Sequence, residues 1–465
     1  MIEYDFKNQE IVDIVNNLII YSASKGASDI HFDPFEEGVK VRLRIDGVLQ
    51  DHTIVPKAYQ RNLTTRIKLI SNMNITESRL PQDGAIKGNI NGIDLDIRVS
   101  SLATNLGEKI VMRILDYSQS ANGLESLGFS AKNLEKIKRM ISVPNGIILI
   151  TGATGSGKST TVYTMLQTLN TPETNIITVE DPIEMNIEGI NQVQVNSEIG
   201  LTFGRVLRSI LRQDPNIILI GEIRDSETAQ IAVRASITGH LVFSTIHTNN
   251  SLNTIERLMD MDVERYLLSS ALEGIVSQKL ARMLCPKCKR LRATTSYEKV
   301  VFKKVLNKDV NEIYDVGEGH CEECRNGYKG RMAIQEVLLI DDYLRDAIND
   351  DTLTREELRK LVYTENVTTL LQDGLEKVLA GYTSFNEIYK LIEIDDELDS
   401  HYSADMLGNR LMRTPEIEEA TITEDNEDNN DNNNQLINQN TTNEISGNTY
   451  DDDDLTEVLD LGTMD

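Results

Sequence analysis

Apolar residues in the first 115 positions recur first at helical spacing and then at strand spacing. Ile11, Ile14, Val15 and Leu18 fall on one stripe of a helix. Three alternating stretches follow. Val39, Val41, Leu43 and Ile45 are interleaved with Lys40, Arg42 and Arg44; Ile93, Leu95, Ile97 and Val99 with Asp94, Asp96 and Arg98; Ile110, Met112 and Ile114 with Lys109, Val111 and Arg113. A period of two predicts half-buried strands with the arginines on the solvent side. Residues 1–115 read as a small α/β domain.

The stretch DYSQSANG marks a linker over 116–124. Beyond it the pattern changes to short, wholly apolar runs, Ile147–Thr151, Ile176–Val179 and Ile217–Ile220, separated by helical sequence. His240–Ile246 reads as one more such run. Strands of this kind belong to a parallel sheet buried on both faces, so 125–280 reads as an α/β domain. Residues 281–394 read as a cysteine-bearing insert followed by helical sequence. The segment 395–465, with NEDNNDNNN and DDDD, has few residues able to build a core and reads as an acidic disordered tail. Leu455–Leu461 is its one candidate interaction element.

Charge changes this picture little. From Asp395 onward 21 acidic residues face two basic ones, a net −19, which leaves −8 of the overall −27 on the preceding 394 residues. That balance argues against general nucleic-acid binding, which needs a basic stripe. No apolar run approaches the roughly 20 residues that cross a bilayer, and MIEYDFKNQE lacks the basic start and apolar core of a secretory signal. The expectation is a cytoplasmic protein. The four cysteines form two tight pairs, Cys285-x-x-Cys288 and Cys321-x-x-Cys324, a spacing that suits one tetrahedral Zn²⁺ held by four thiolates. With no open position left, such a site is structural.

The sharpest chemical signal is Gly152-Ala153-Thr154-Gly155-Ser156-Gly157-Lys158-Ser159-Thr160, directly after an apolar strand. Glycines let successive N–H groups turn inward on phosphates, the following helix adds the positive end of its dipole, Lys158 reaches the β- and γ-phosphates, and Ser159 can ligate Mg²⁺. ATP hydrolysis there needs carboxylates at neighbouring strand ends. Two segments supply them: Glu180-Asp181-Pro182-Ile183-Glu184 and Gly221-Glu222-Ile223-Arg224-Asp225. The second resembles a Walker B strand with glycine in place of the usual aspartate, which makes Glu222 the nearest carboxylate to the metal. His247 is placed to sense the γ-phosphate or to link the site to a neighbouring subunit.

The ordered set ASDIHFDP, RIDGVL, PQDG, GATGSGKST, VEDPIE, LRSILRQDPNIILIGEIRD and GHLVFSTIHTNNS strongly resembles the secretion ATPase family of type II secretion and type IV pili, over about Ile11 to Ile394. Within it the chain is most similar to the pilus-extension, PilB-type ATPases. The resemblance implies a PAS-like N-terminal domain, a flexible link and a RecA-like ATPase domain, with six chains in a ring. It implies Glu180 as the residue that orients or activates water, Glu222 as the Walker B glutamate, and His240 and His247 as the His box. Arg98 and Arg113 match two N-terminal-domain arginines that reach nucleotide, with Arg208 and Arg212 as weaker candidates. The cysteine knuckle is a feature of extension-type and type II members. The chain begins almost at the PAS-like domain, without the additional N-terminal domain many members use for docking.

These expectations make the chain an ATP-, Mg²⁺- and Zn²⁺-dependent homohexameric motor. It would be recruited to the inner face of the cytoplasmic membrane by an inner-membrane platform protein and power type IV pilus assembly. The alternatives are a type II secretion or DNA-uptake competence ATPase, a nucleic-acid translocase, or a non-catalytic nucleotide-gated scaffold.

Overall fold

The computed structural model describes residues 4–402 except 91–92, 116–122, 318–320, 322–323, 325, 365, 395, 397 and 399–401. The expected linker up to residue 122 lies outside the described residues, as do the tail beyond Tyr402 and its Leu455–Leu461 element.

The N-terminal part runs α1 (Ile11–Ser24), β1 (Ala27–Phe35), β2 (Gly38–Ile45), β3 (Val48–Pro56), α2 (Gln60–Ile70), β4 (Gln82–Ile90), β5 (Ile93–Thr104) and β6 (Gly107–Leu115). Its strands form one antiparallel sheet in the order β3-β2-β1-β6-β5-β4. The alternating residues face one way: Ile30, Phe32, Val41, Leu43, Ile97, Val99, Ile110 and Met112 form a core with Val15, Leu18 and Ile19 of α1 and Leu63 and Ile67 of α2. The arginines lie on the other face. The sequence pattern exposes β2, β5 and β6 but not β1, β3 or β4, because Pro34 interrupts β1 and Gly84 and Gly88 interrupt β4.

The second part continues with α3 (Ala131–Ile141), β7 (Gly146–Thr151), α4 (Lys158–Leu169), β8 (Ile176–Glu180), β9 (Asn191–Gln194), α5 (Phe203–Ile210), β10 (Ile217–Ile220), α6 (Ser226–Ile237), β11 (Leu241–Ile246), α7 (Ser251–Asp260), α8 (Arg265–Ala271) and β12 (Leu272–Leu284). Every residue of β7, β8, β10 and β11 is buried. Alternate strand positions feed opposite cores. Ile147, Leu149, Val179, Ile218 and Val242 meet α5 to α8, while Ile148, Ile150, Ile176, Leu219 and Phe243 meet α3 and α4. This two-sided burial is why the strands carry no polar alternation.

The chain then makes β13 (Arg290–Ala293), α9 (Ser296–Leu306) and β14 (Glu312–Asp315), and returns as β15 (Tyr328–Leu339), antiparallel to β12. Four helices close it: α10 (Asp342–Asn349), α11 (Arg355–Val362), α12 (Leu370–Leu379) and α13 (Phe385–Leu391). The large sheet has the order β15-β12-β7-β11-β10-β8-β9. Three features differ from the sequence reading. β12 runs through residue 280, so a boundary there cuts a strand, and β15 lies in a segment expected to be insert and helix. Leu398 and Tyr402, placed by sequence in the tail, are buried in a core with Phe302, Leu371, Leu375 and Phe385.

Candidate nucleotide site and thiol cluster

Parallel register brings the chemistry to one level. Leu149, Ser244, Ile220 and Val179 form a single row across β7, β11, β10 and β8. The residues just beyond, Gly152, His247, Glu222 and Glu180, therefore emerge together at the C-terminal edge of the sheet, where doubly wound folds bind ligands. The loop of residues 152–157 turns through positive φ at Gly152 (146°), Gly155 (79°) and Gly157 (88°), and α4 starts at Lys158. Lys158 Nζ donates to the carbonyls of Gly152 (2.8 Å) and Ala153 (3.1 Å). Burial pulls its pKa below the ordinary lysine range, and the Glu222 carboxylate opposes that shift. Ala153, Thr154, Gly155 and Ser159 are exposed at the mouth. Ser156 Oγ is buried with no hydrogen-bond partner, a donor left for a ligand.

Glu222 accepts from Arg224 Nη2 at 2.7 Å and sits 3.1 Å from His247 Nε2. Gly221 is where an aspartate is usual: a Cβ there would lie 3.2 Å from the Cα of Glu180, so the strand ends pack too closely for a side chain to enter freely. The sequence reading brought Glu222, His247 and Lys158 together, and the structure does too.

Glu180 has different surroundings. Only 4% exposed, its carboxylate accepts from Tyr163 Oη, Thr178 Oγ1 (2.6 Å) and Gln192 Nε2 (3.1 Å). Three protein donors thus hold the carboxylate that the resemblance offers for orienting water. Glu184, in the same loop, has a side chain 35% exposed and lies 3.7 Å from Arg98 Nη1. Its backbone N–H donates to Tyr163 Oη at 3.1 Å, so Tyr163 on α4 ties the acidic loop to the phosphate-loop helix. Sequence reasoning missed Tyr163, whose only signal is a hydroxyl-bearing aromatic on an otherwise buried helix face.

Arg98 and Arg113 are cross-strand partners on the solvent face of the N-terminal sheet. Like charges directly opposite repel. Each therefore takes an acid: Arg113 Nε bonds Asp29 at 3.0 Å, and Arg98 reaches across to Glu184 and to the Ile183 carbonyl. Arg44 also lies 3.5 Å from Asp29. Arg208 pairs with Glu227 (2.7 Å), and Arg212 donates to the Arg208 carbonyl. His240 lies at the opposite end of β11 from His247, with Nδ1 2.9 Å from the Ala235 carbonyl, so only one of the two histidines reaches the site.

The four cysteines converge although 32 residues separate the pairs. Their sulfurs all lie within 4.8 Å of one another, with Cys285–Cys321 at 3.7 Å, Cys288–Cys324 at 3.5 Å and Cys321–Cys324 at 3.4 Å. A tetrahedral site with Zn–S near ~2.3 Å places its sulfurs about 3.8 Å apart, whereas a disulfide needs about 2.05 Å. The thiols fit a four-coordinate metal. Hydrogen bonds from Cys321 and Cys324 push the Cys288 thiol up to about 12, a cost that a cation at their centre removes. Gly317 allows the tight approach: a Cβ there would sit 2.1 Å from the Cys288 carbonyl oxygen.

Residues 5–390 match the family described as type II/IV secretion system protein. The chain is 43% identical over 382 residues to the type II secretion system ATPase E of Vibrio cholerae, covering 82% of this chain and 75% of that one. It is 42% identical over 380 residues to the type IV pilus assembly ATPase PilB of Myxococcus xanthus, covering 81% and 67%. Among solved structures the Legionella pneumophila ATPase DotB superposes with a TM-score of 0.63 at 21% identity, covering 84% of this chain and 98% of that one. The ADP-bound pilus retraction motor PilT superposes with 0.58 at 25% identity, covering 83% and 98%. The large domain is thus an α/β ATPase fold. No helix among the described residues is long and apolar enough to cross a membrane.

Proposed function

The chain belongs to the type II/IV secretion system protein family, and from that premise we propose that it is a Mg²⁺-dependent, homohexameric ATPase motor for pilus assembly or type II secretion. Near-equal identity to both kinds of relative widens the pilus-assembly expectation to the two sister machines. The observation that carries the reading is the convergence of Lys158, Glu222 and His247 at one sheet edge, with Arg98 entering from the N-terminal sheet, our candidate for the PAS-like domain.

In this reading Lys158 exchanges its loop carbonyls for phosphate oxygens, and the Gly152–Thr160 loop lines the phosphates with N–H groups. Mg²⁺ would be held by Ser159 and Glu222 and would neutralise charge on the transferred phosphoryl group. His247 holds Glu222 in place. Glu184 joins Glu180 as a candidate for the carboxylate that orients water, and Arg98, 3.7 Å from Glu184, neutralises developing charge with its planar fork. Arg113 joins Arg98 through their shared row. Cys285, Cys288, Cys321 and Cys324 would hold a structural Zn²⁺ that pins the β13–β14 insert. A membrane platform protein is the partner that would receive the stroke at the cytoplasmic face of the membrane. The test of function is complementation of defined pilus-assembly and type II secretion mutants. Rescue of either supports the motor reading and selects the machine; rescue of neither, by a protein that hydrolyses ATP, contradicts both assignments.

A further inference from the structure

Gln278 is an unexpected residue. It lies in the middle of β12, between Ser277 and Lys279, and is 3% exposed, yet it makes three polar contacts with its amide. Nε2 donates to the Ser156 carbonyl at 2.7 Å. Oε1 accepts from Thr161 Oγ1 at 2.9 Å and from Gln335 Nε2 at 3.3 Å. One side chain thus grips the phosphate loop on one side of Lys158 and the first turn of α4 on the other.

The loop glycines fit the same grip. A Cβ on Gly152 would sit 2.3 Å from the Gln278 carbonyl oxygen, and one on Gly157 would sit 2.7 Å from its Nε2. β12 therefore presses on the loop closely enough to exclude side chains at both positions, in addition to the backbone turn the glycines supply.

Behind Gln278 stands a buried polar line. Gln335 is its ladder partner on β15. The Gln335 backbone N–H donates to Asp373 Oδ2 at 2.8 Å, and Lys377 Nζ bonds the same oxygen at 2.6 Å. Asp373 and Lys377 belong to α12, in the C-terminal helical part. Buried polar groups are costly unless satisfied, and the line pairs the Gln335 amide nitrogen with Gln278 and its backbone N–H with Asp373, leaving Gln335 Oε1 unpaired.

We propose that Gln278 is a positioning residue for the nucleotide site, holding the phosphate loop in its binding shape and linking that shape, through Gln335, to α12. The proposal rests on the ATPase reading and touches no reacting atom. It predicts that the loop shape, and with it ATP affinity, is set in part from the C-terminal helices.

The test uses the full chain and four variants, Gln278→Met, Thr161→Val, the two combined, and Gln335→Met, with ATP affinity, kcat, KM and melting temperature measured on each. Losing the two loop contacts should weaken ATP binding about tenfold in Gln278→Met, and losing one should weaken it about threefold in Thr161→Val. Combining the two should be no worse than Gln278→Met alone, because they share one contact set. Gln335→Met, which does not touch the loop, should raise KM with little change in kcat. Lower melting temperatures with wild-type affinity and KM would show a purely structural glutamine and overturn the proposal, as would additive effects of Gln278→Met and Thr161→Val. Should Gln278→Met fold poorly, Thr161→Val and Gln335→Met decide the matter in the same way. Wild-type protein that binds ATP without turnover would sink the motor reading and leave the affinities to decide the clamp. Wild-type protein that binds no nucleotide overturns both.

Discussion

Glu180 and Glu184 stand four residues apart in one acidic loop, yet only one faces solvent and a charged partner. The sequence offers both as candidates, and nothing in VEDPIE distinguishes them. The difference lies in Tyr163, Thr178 and Gln192, which come from three separate elements and close on the Glu180 carboxylate. Glu184→Gln is expected to lower kcat by 100-fold or so with an unchanged melting temperature, since it removes a charge from an exposed position. Glu180→Gln is expected to destabilise by about 1–3 kcal/mol, because an amide nitrogen replaces an acceptor that buried donors require. Thermal denaturation and steady-state ATPase rates on the two variants separate the roles. Loss of turnover at unchanged stability in Glu180→Gln would assign the water-orienting role to that residue.

Element by element, the sequence was most legible where burial is one-dimensional. β7, β8, β10 and β11 are apolar throughout because both faces are covered, and the phosphate loop follows directly from its glycines. β12 and β15 were hidden because they mix Ser277, Gln278, Gln335 and Glu336 into buried positions, polar residues that only their partners justify. Cysteine spacing forecast the thiol cluster well, although no local pattern says that the two pairs meet. Purified protein should contain about one equivalent of zinc, and a strong chelator should lower its melting temperature by several degrees without full unfolding, since Phe302, Leu371 and Leu375 supply the neighbouring core independently. Zinc-free protein with an unchanged melting curve would show that the thiols do not form a structural site.

At the scale of the whole molecule, the functional residues divide between two sheets. Arg98 crosses from the N-terminal sheet to Glu184, while Asp46, between β2 and β3, accepts from the Gly330 backbone N–H at 3.0 Å. These are few contacts, and the Arg98–Glu184 pair is partly exposed, so it adds little to stability. Arg98→Ala should therefore leave the melting temperature within a degree or two but reduce turnover at least tenfold, and equal activity would remove the N-terminal sheet from catalysis. The arginine periodicity was visible in the sequence; its target, a loop in another domain, was not. The most direct measurement of the central claim is ATP hydrolysis by the purified chain beside Glu222→Gln, with oligomer mass recorded in the same samples. The account predicts Mg²⁺-dependent turnover that rises as hexamer forms and falls at least 100-fold in the variant. A folded wild-type hexamer that binds ATP and turns over no faster than Glu222→Gln would contradict it.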